Sequence, residues 1–198
     1  MLDDQAQLHT LEGVAASMLI LLVIIYAIDA TSITPLTSST SSVQVETELA
    51  FIGQDILNRL DYTEPGEISN LKKDIIKWDG NQYQWSGTKY VEDGNIGNNI
   101  SNDITDILNT SLISKGIAHK LEVSYLLNNN NISVSGPRTM IYAGVPSDNA
   151  VTVSRKIVLQ DSDIVLFGDP NSTNPIYDVY PTTILWNIVD VKLVLWRT

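Results

Sequence analysis

The chain has 198 residues, 43% of them hydrophobic, and a formal net charge of −11 from 12 Lys and Arg against 23 Asp and Glu. The acidic balance argues against a nucleic-acid partner, because phosphate recognition needs a basic face. The sequence contains no cysteine, which excludes disulfides, a thiolate nucleophile and cysteine metal ligands.

The first element in chain order is the apolar stretch from Leu8 to Asp29, which carries no charge between Gly13 and Ile28. Those residues would form a helix of roughly 24 Å, and Leu8 and Leu11 extend its apolar surface towards the roughly 30 Å of a bilayer core. Because apolar residues occupy every side, we predict a transmembrane helix rather than an amphipathic surface helix. The basic leader and cleavage site of a secretory signal are missing. A buried helix, or a removed signal core, is the alternative.

Glu12 is the one charged residue at the entrance to this apolar run. An ionisable residue at the edge of an apolar helix is a candidate functional residue by default. It either marks a membrane interface or takes part in assembly.

Residues 31–42 are rich in Ser and Thr and contain Pro35, which disfavours helix at Thr34. They predict a linker or kink, the alternative being a helix that runs through with a bend. Residues 43–61 then repeat apolar side chains at spacings of three and four, which predicts an amphipathic helix. Its apolar stripe consists of Val45, Leu49, Ile52, Ile56 and Leu60. We expect this stripe to pack on the protein's own sheet, or partly on neighbouring subunits.

Shorter elements follow this helix. We predict a helix over residues 68–78, a weak hairpin around Ser86 and Gly87, a loop over residues 94–102 and a helix over residues 103–114. The second half is mostly β, with strands at 118–127, 132–135, 138–143 and 151–159 and a long polar loop over residues 160–181. The final strand alternates apolar and polar residues, and its apolar content predicts a position inside the sheet.

A search for chemistry finds no phosphate loop, dinucleotide fingerprint, hydrolase elbow or zinc-protease motif. Asp161 and Asp163, with Asp169 nearby, have the spacing of calcium ligands but lack a full binding loop, so they are expected to be surface carboxylates. His119 begins a strand and is expected at the surface or in a turn. The four tryptophans are expected in the core or in subunit contacts. We predict no catalytic residue, metal site or cofactor, and thus no enzyme.

Four Asn-x-Ser/Thr sequons favour an extracytoplasmic C-terminal part: Asn99, Asn109, Asn131 and Asn171. The distribution of basic residues gives no orientation, because the first Lys or Arg is Arg59.

The segment HTLEG followed by an apolar helix resembles the start of archaeal type IV pilin-like proteins. Several further segments, among them TPLTSSTSS, GIAHKLEVSYL and IVDVKLVLWRT, resemble in order an uncharacterised, largely haloarchaeal family of membrane-anchored proteins. The resemblance implies that Glu12 meets a neighbouring subunit's amine and that processing falls between Ala6 and Gln7. Asp3 and Asp4 stand where such proteins usually carry a basic pair.

These observations predict an α+β protein in three parts. Residues 1–30 hold the N-terminal segment and transmembrane helix, residues 31–42 the linker or kink, and residues 43–198 an extracytoplasmic head domain with a mostly antiparallel sheet and short helices. The expected function is that of a non-enzymatic pilin-like subunit or minor pilin of a cell-surface filament or related assembly machine. Its expected partners are membrane lipid and other subunits. The alternative is a single-pass, membrane-anchored surface protein that binds a ligand without polymerising, and a hydrolase domain on a stalk is the weakest reading.

Overall fold

The computed structural model describes residues 12–25, 40–128, 131–168 and 174–197. The chain divides into two compact units, Met1–Ser41 and Ser42–Thr198. In the first unit, residues 12–25 form helix α1.

The prediction of a transmembrane helix is wrong. Across the described parts of the chain, no helix combines the length and the apolar character needed to cross a membrane. Of the predicted linker over residues 31–42, residues 31–39, including Pro35, lie outside the described residues, and residues 40–42 belong to the helix Thr40–Asp61.

The second unit is α+β with a mostly antiparallel sheet. Its helices are α2 (Thr40–Asp61), α3 (Asn70–Ile76), α4 (Asp103–Ser111), a single 3₁₀ turn (Ile113–Lys115) and α5 (Asp161–Phe167). Its strands are β1 (Tyr83–Trp85), β2 (Tyr90–Glu92), β3 (Asn95–Ile100), β4 (Ile117–Asn128), β5 (Ile132–Val134), β6 (Arg138–Ala143), β7 (Val151–Gln160) and β8 (Leu185–Arg197).

The strands lie in the order β3-β2-β1-β6-β4-β8-β7, with β5 paired to β4 off this path. Every pairing is antiparallel except that of β1 with β6. The prediction that the C-terminal strand lies inside the sheet is confirmed, since β8 pairs with β4 on one side and with β7 on the other. Its inward residues are fully buried: Val189, Val191, Leu193 and Leu195.

The predicted amphipathic helix is confirmed as α2. Its stripe enters the core, with Leu49, Ile56 and Leu60 buried and two further members packed against them. A Cβ placed on Gly53 would lie 2.7 Å from Leu195 Cδ1 and 2.7 Å from a Val153 methyl carbon. Glycine therefore lets the backbone of α2 lie directly on β7 and β8.

The tryptophans belong to the core, as expected. Trp78 and Trp196 are buried, while Trp85 and Trp186 are partly buried against the core residues. Two of the indole N–H groups donate to backbone carbonyls, from Trp78 to Asn81 at 2.7 Å and from Trp186 to Ile176 at 3.0 Å. Large rings are thus buried with their polar atom satisfied.

Two predicted loops contain regular structure. Residues 94–102 include β3, whose strand conformation depends on pairing with β2 rather than on its Asn-rich sequence. The predicted loop over residues 160–181 begins with α5, whose first turn is held by the Asp163 carboxylate accepting from the Gln160 N–H at 3.0 Å. A side chain that caps a helix end accounts for this helix.

Candidate functional site

The first candidate site is the exposed apolar surface of helix α1. Each of its last eight residues, numbers 18 to 25, is an apolar side chain with half or more of its surface exposed: Met18, Leu19, Ile20, Leu21, Leu22, Val23, Ile24 and Ile25. Eight consecutive positions cover more than two helical turns and therefore every side of the helix. A contiguous exposed apolar surface of this kind marks an interaction site.

The polar groups of α1 leave this surface uninterrupted. Ser17 directs its hydroxyl to the backbone carbonyl of Val14 at 2.8 Å, so that its donor is satisfied within the helix. Glu12 is the first described residue of the helix and is exposed. The carboxylate and the apolar surface therefore lie on one helix, at residue 12 and at residues 18–25.

The second candidate site is the buried pair of Tyr90 and His119. The expectation that His119 lies at the surface is wrong, because its side chain is completely buried. Its Nε2 lies 2.9 Å from the Tyr90 hydroxyl, and its Nδ1 faces the Ile117 carbonyl at 3.5 Å. Since a carbonyl can only accept, Nδ1 carries the proton and Nε2 accepts from Tyr90.

The electrostatics of this pair follow from its burial. Desolvation lowers the pKa of His119 from 6.5 to about 4, against a smaller opposing effect of the Ile117 carbonyl. Burial also raises the pKa of the Tyr90 hydroxyl above its ordinary value. Both groups are therefore neutral near pH 7, and the imidazole lone pair is occupied by a protein hydroxyl. This geometry suits a structural link between β2 and β4.

The burial of His119 could have been predicted from the sequence. His119 has the same parity along β4 as Leu121 and Val123, both of which are fully buried. Alternation along a strand therefore placed His119 on the core face.

Asp74 is a buried carboxylate in α3 that sequence reasoning did not single out. Its Oδ2 accepts from the backbone N–H of Ile104 at 2.9 Å, in the first turn of α4. Burial raises its pKa from 3.8 to about 6, while the Ile104 N–H acts in the opposite direction. The contact joins the two helices and uses the positive end of α4.

A cavity of about 430 Å³ lies beside α3 and α5. Two of its charged lining residues, Lys73 and Asp163, already have partners. The Lys73 ammonium lies 5.7 Å from the centre of the Phe167 ring, and Asp163 lies 3.7 Å from the Lys72 ammonium. Asp163 also caps α5, so it is engaged within the protein. In the described parts of the chain, no three His, Asp or Glu side chains come close enough to hold a metal ion.

Comparison with known proteins places this chain in a family. Residues 5–195 match a family of unknown function, DUF7288. The chain belongs to this DUF7288 family. An uncharacterized protein of Archaeoglobus fulgidus is 32% identical over 198 residues, which are 100% of this chain and 95% of that protein. No solved structure matches.

Within this DUF7288 chain, the predicted sequon residues occupy different kinds of position. Asn99 is exposed on β3, Asn109 is exposed on α4, and Asn131 is exposed between β4 and β5. Asn171 lies outside the described residues, as do Ala6 and Gln7 of the predicted processing site and Asp169 of the carboxylate group. The three described sequons are thus accessible to modifying enzymes.

Proposed function

We propose that this DUF7288 protein is a non-enzymatic, pilin-like structural subunit whose α1 packs against α1 of neighbouring copies in a cell-surface filament or related assembly. The observation that carries the proposal is the apolar surface of α1, exposed on every side over residues 18–25. Burying each large apolar side chain contributes about 1.5–3 kcal/mol, so bundling such helices is strongly favourable.

A second copy is the favoured occupant because the surface is continuous around the helix. A groove on one partner protein would cover a single stripe, as it does for an amphipathic helix. Several copies of α1 in a bundle cover each other on all sides. Glu12 supports this arrangement, since a carboxylate at the start of an apolar helix can pair with the N-terminal amine of a staggered neighbour.

The test uses the absence of cysteine from the sequence. Single cysteines are placed in the full chain at Met18, Leu19, Ile20, Leu21 and Leu22, and each variant is oxidised and sized in its host membrane fraction and culture medium. Because neighbouring helices are staggered, pairs of these variants are also mixed before oxidation, and helix packing between copies predicts disulfide-linked dimers for some pairs of positions and not for others. Glu64→Cys, at an exposed turn of the second unit, is the matched control.

Three outcomes separate the possibilities. Crosslinking at some pairs of positions, well above that of Glu64→Cys, supports the proposal. Uniformly weak crosslinking at all five positions would show that lipid rather than another copy surrounds α1. Crosslinking as strong at Glu64→Cys as in α1 would show random collision.

A further inference from the structure

The three described sequons differ in how well their backbone suits the attachment of a glycan. An enzyme that reads Asn-x-Ser/Thr must reach the Asn amide and the hydroxyl two residues later together, so both side chains must come to one side of the backbone. The bulky product must also fit outside the fold. Asn99, Asn109 and Asn131 are all exposed, but they lie in a strand, in a helix and directly before a strand. Exposure alone therefore does not decide between them.

Asn109 has an unsuitable backbone for this reaction. It lies in α4, where residues two apart are separated by about 200° around the axis and do not face each other. Ser111, the hydroxyl residue of this sequon, is only partly exposed. Straightening residues 109–111 would pull on Leu108 and Leu112, which are both fully buried. The fold therefore withholds this sequon from an enzyme.

Asn99 is held by contacts on both sides of its sequon. β3 pairs it with β2, and the next residue, Ile100, packs against the core. Directly after the sequon, Asn102 caps α4, its side chain accepting from the Thr105 N–H at 3.0 Å. Releasing residues 99–101 to an enzyme would break these contacts together, so Asn99 is a poorer acceptor than its exposure indicates.

Asn131 meets both requirements with little loss of structure. All three residues of its sequon are exposed: Asn131, Ile132 and Ser133. Residues two apart share a face along a strand, so continuing β5 back by one residue puts Asn131 on the side of Ser133. In the described chain β5 pairs with β4 alone, over three residues, and neither Ile132 nor Val134 belongs to the buried core. Segments with so little apolar burial open most readily.

We propose that Asn131 is the main glycan acceptor among the described sequons and that Asn109 stays unmodified. The Nδ2 atom of Asn131 forms a bond to the anomeric carbon of an oligosaccharide that the host supplies as a glycosyl phosphate. The bond from that carbon to the phosphate oxygen breaks, and one Nδ2 proton is released together with the phosphate. The inference rests on the proposed function, because it requires the second unit to lie at the cell surface.

The experiment is glycopeptide mass spectrometry of the full-length protein, isolated from its host's membrane fraction and culture medium. Wild type contains a matched control, since the sequons at Asn99 and Asn131 are both Asn-Ile-Ser. Any difference in occupancy between them comes from the surrounding structure. Ile132→Thr makes the sequon at Asn131 identical to the Asn-Thr-Ser at Asn109, which allows the same comparison with the helix.

Two further variants test whether the hydroxyl of Ser133 is read. Ser133→Ala leaves Asn131 in place and removes the hydroxyl, so the glycan should be lost from Asn131. Ser133→Thr keeps a hydroxyl and should retain the glycan. Because Ser133 is exposed, neither change disturbs the core.

Occupancy at Asn131 several-fold above that at Asn99 and near zero at Asn109, in wild type and in Ile132→Thr, supports the proposal. Equal occupancy at Asn131 and Asn109, or glycan retained at Asn131 in Ser133→Ala, would overturn it. No glycan at any of the three with α1 crosslinks intact would refute glycan transfer and leave helix packing standing. Glycan at Asn131 without α1 crosslinks would refute helix packing alone, and loss of both would refute both.

Discussion

The Tyr90 hydroxyl donates to His119 Nε2 across 2.9 Å in a fully buried part of the sheet. The two residues lie on β2 and β4, which are separated in the sheet order by β1 and β6. Their rings are inclined at 59° with centroids 6.0 Å apart. This side-chain contact thus links the short N-terminal strands to the long central strands, in addition to the backbone pairing of β1 with β6.

Removing the hydroxyl tests that connection. Tyr90→Phe leaves Nε2 of a buried imidazole without its donor, which costs about 1–3 kcal/mol of unfolding free energy. Urea unfolding followed by tryptophan fluorescence measures the loss. Tyr62→Phe, at a residue 74% exposed, is the control and should change stability by less than about 0.5 kcal/mol. Equal stability of Tyr90→Phe and wild type would show that the pair contributes nothing.

The lowered pKa of His119 predicts a dependence of stability on pH. The unfolded chain takes up the proton near pH 6.5 and the folded chain only near pH 4. The contribution of His119 is therefore complete above pH 6.5 and is lost as pH falls towards 4, by on the order of 3 kcal/mol. Unfolding midpoints at half-unit steps of pH measure it. His119→Gln should flatten this part of the profile, and an unchanged slope would contradict the assignment.

The elements that were predictable are those with a strong period. Helix α2 repeats apolar residues at three and four, and β8 alternates over its length, so each pattern specified both the element and its buried face. β3 and α5 carry no such period. β3 takes its conformation from pairing with β2, in which Asn99 lies opposite Val91. Helix α5 depends on one capping carboxylate.

The candidate site was predictable only in part. The sequence alone singled out the apolar stretch and Glu12, since an uncharged run can be recognised without knowing the tertiary structure. The error came from treating the whole stretch as a bilayer span, whereas no helix in the described parts of the chain is long and apolar enough for one. Asp74 gave no sequence signal, because its burial depends on how α3 meets α4 in three dimensions.

Glu12 provides a direct test of assembly. A carboxylate on an apolar helix can pair with the amine of a staggered neighbour, and this pairing would fix the stagger of the helices. Glu12→Leu should abolish higher-order particles, and Glu12→Gln should reduce them partly. Native-detergent sizing of full-length protein measures this, with Glu64→Gln as the control. Normal assembly of Glu12→Leu would leave the residue without a role in it.

Asp74 should show the opposite pH behaviour to His119. Its folded pKa of about 6 exceeds its ordinary 3.8, so its contribution is complete below pH 3.8 and is lost as pH rises through 6. Asp74→Asn keeps an acceptor for the Ile104 N–H and removes the buried charge. We expect it to raise the unfolding free energy at pH 8 by about 1–3 kcal/mol, with no gain at pH 3.5.

The control for this change is Asp55→Asn on the exposed side of α2, which should show no such pH window. A loss of stability in Asp74→Asn at pH 8 would show that the charge itself strengthens the contact with α4. Both variants are compared by urea unfolding at the two pH values.

The last prediction concerns the close approach of α2 to the sheet. In an unconstrained helix, Gly→Ala would stabilise by about 1 kcal/mol. At Gly53 the added methyl would lie 2.7 Å from Leu195 Cδ1 and 2.7 Å from a Val153 methyl carbon, and Leu195 is fully buried. Overpacking costs about 1–3 kcal/mol, so Gly53→Ala should lower stability despite the better helix former, and Gly53→Val should lower it further. Gly136→Ala meets no atom within 4 Å and is the matched control, expected to change the melting temperature little. If Gly53→Ala melts at or above the wild-type temperature, α2 can move away from β7 and β8, and the contact is not a fixed feature of the core.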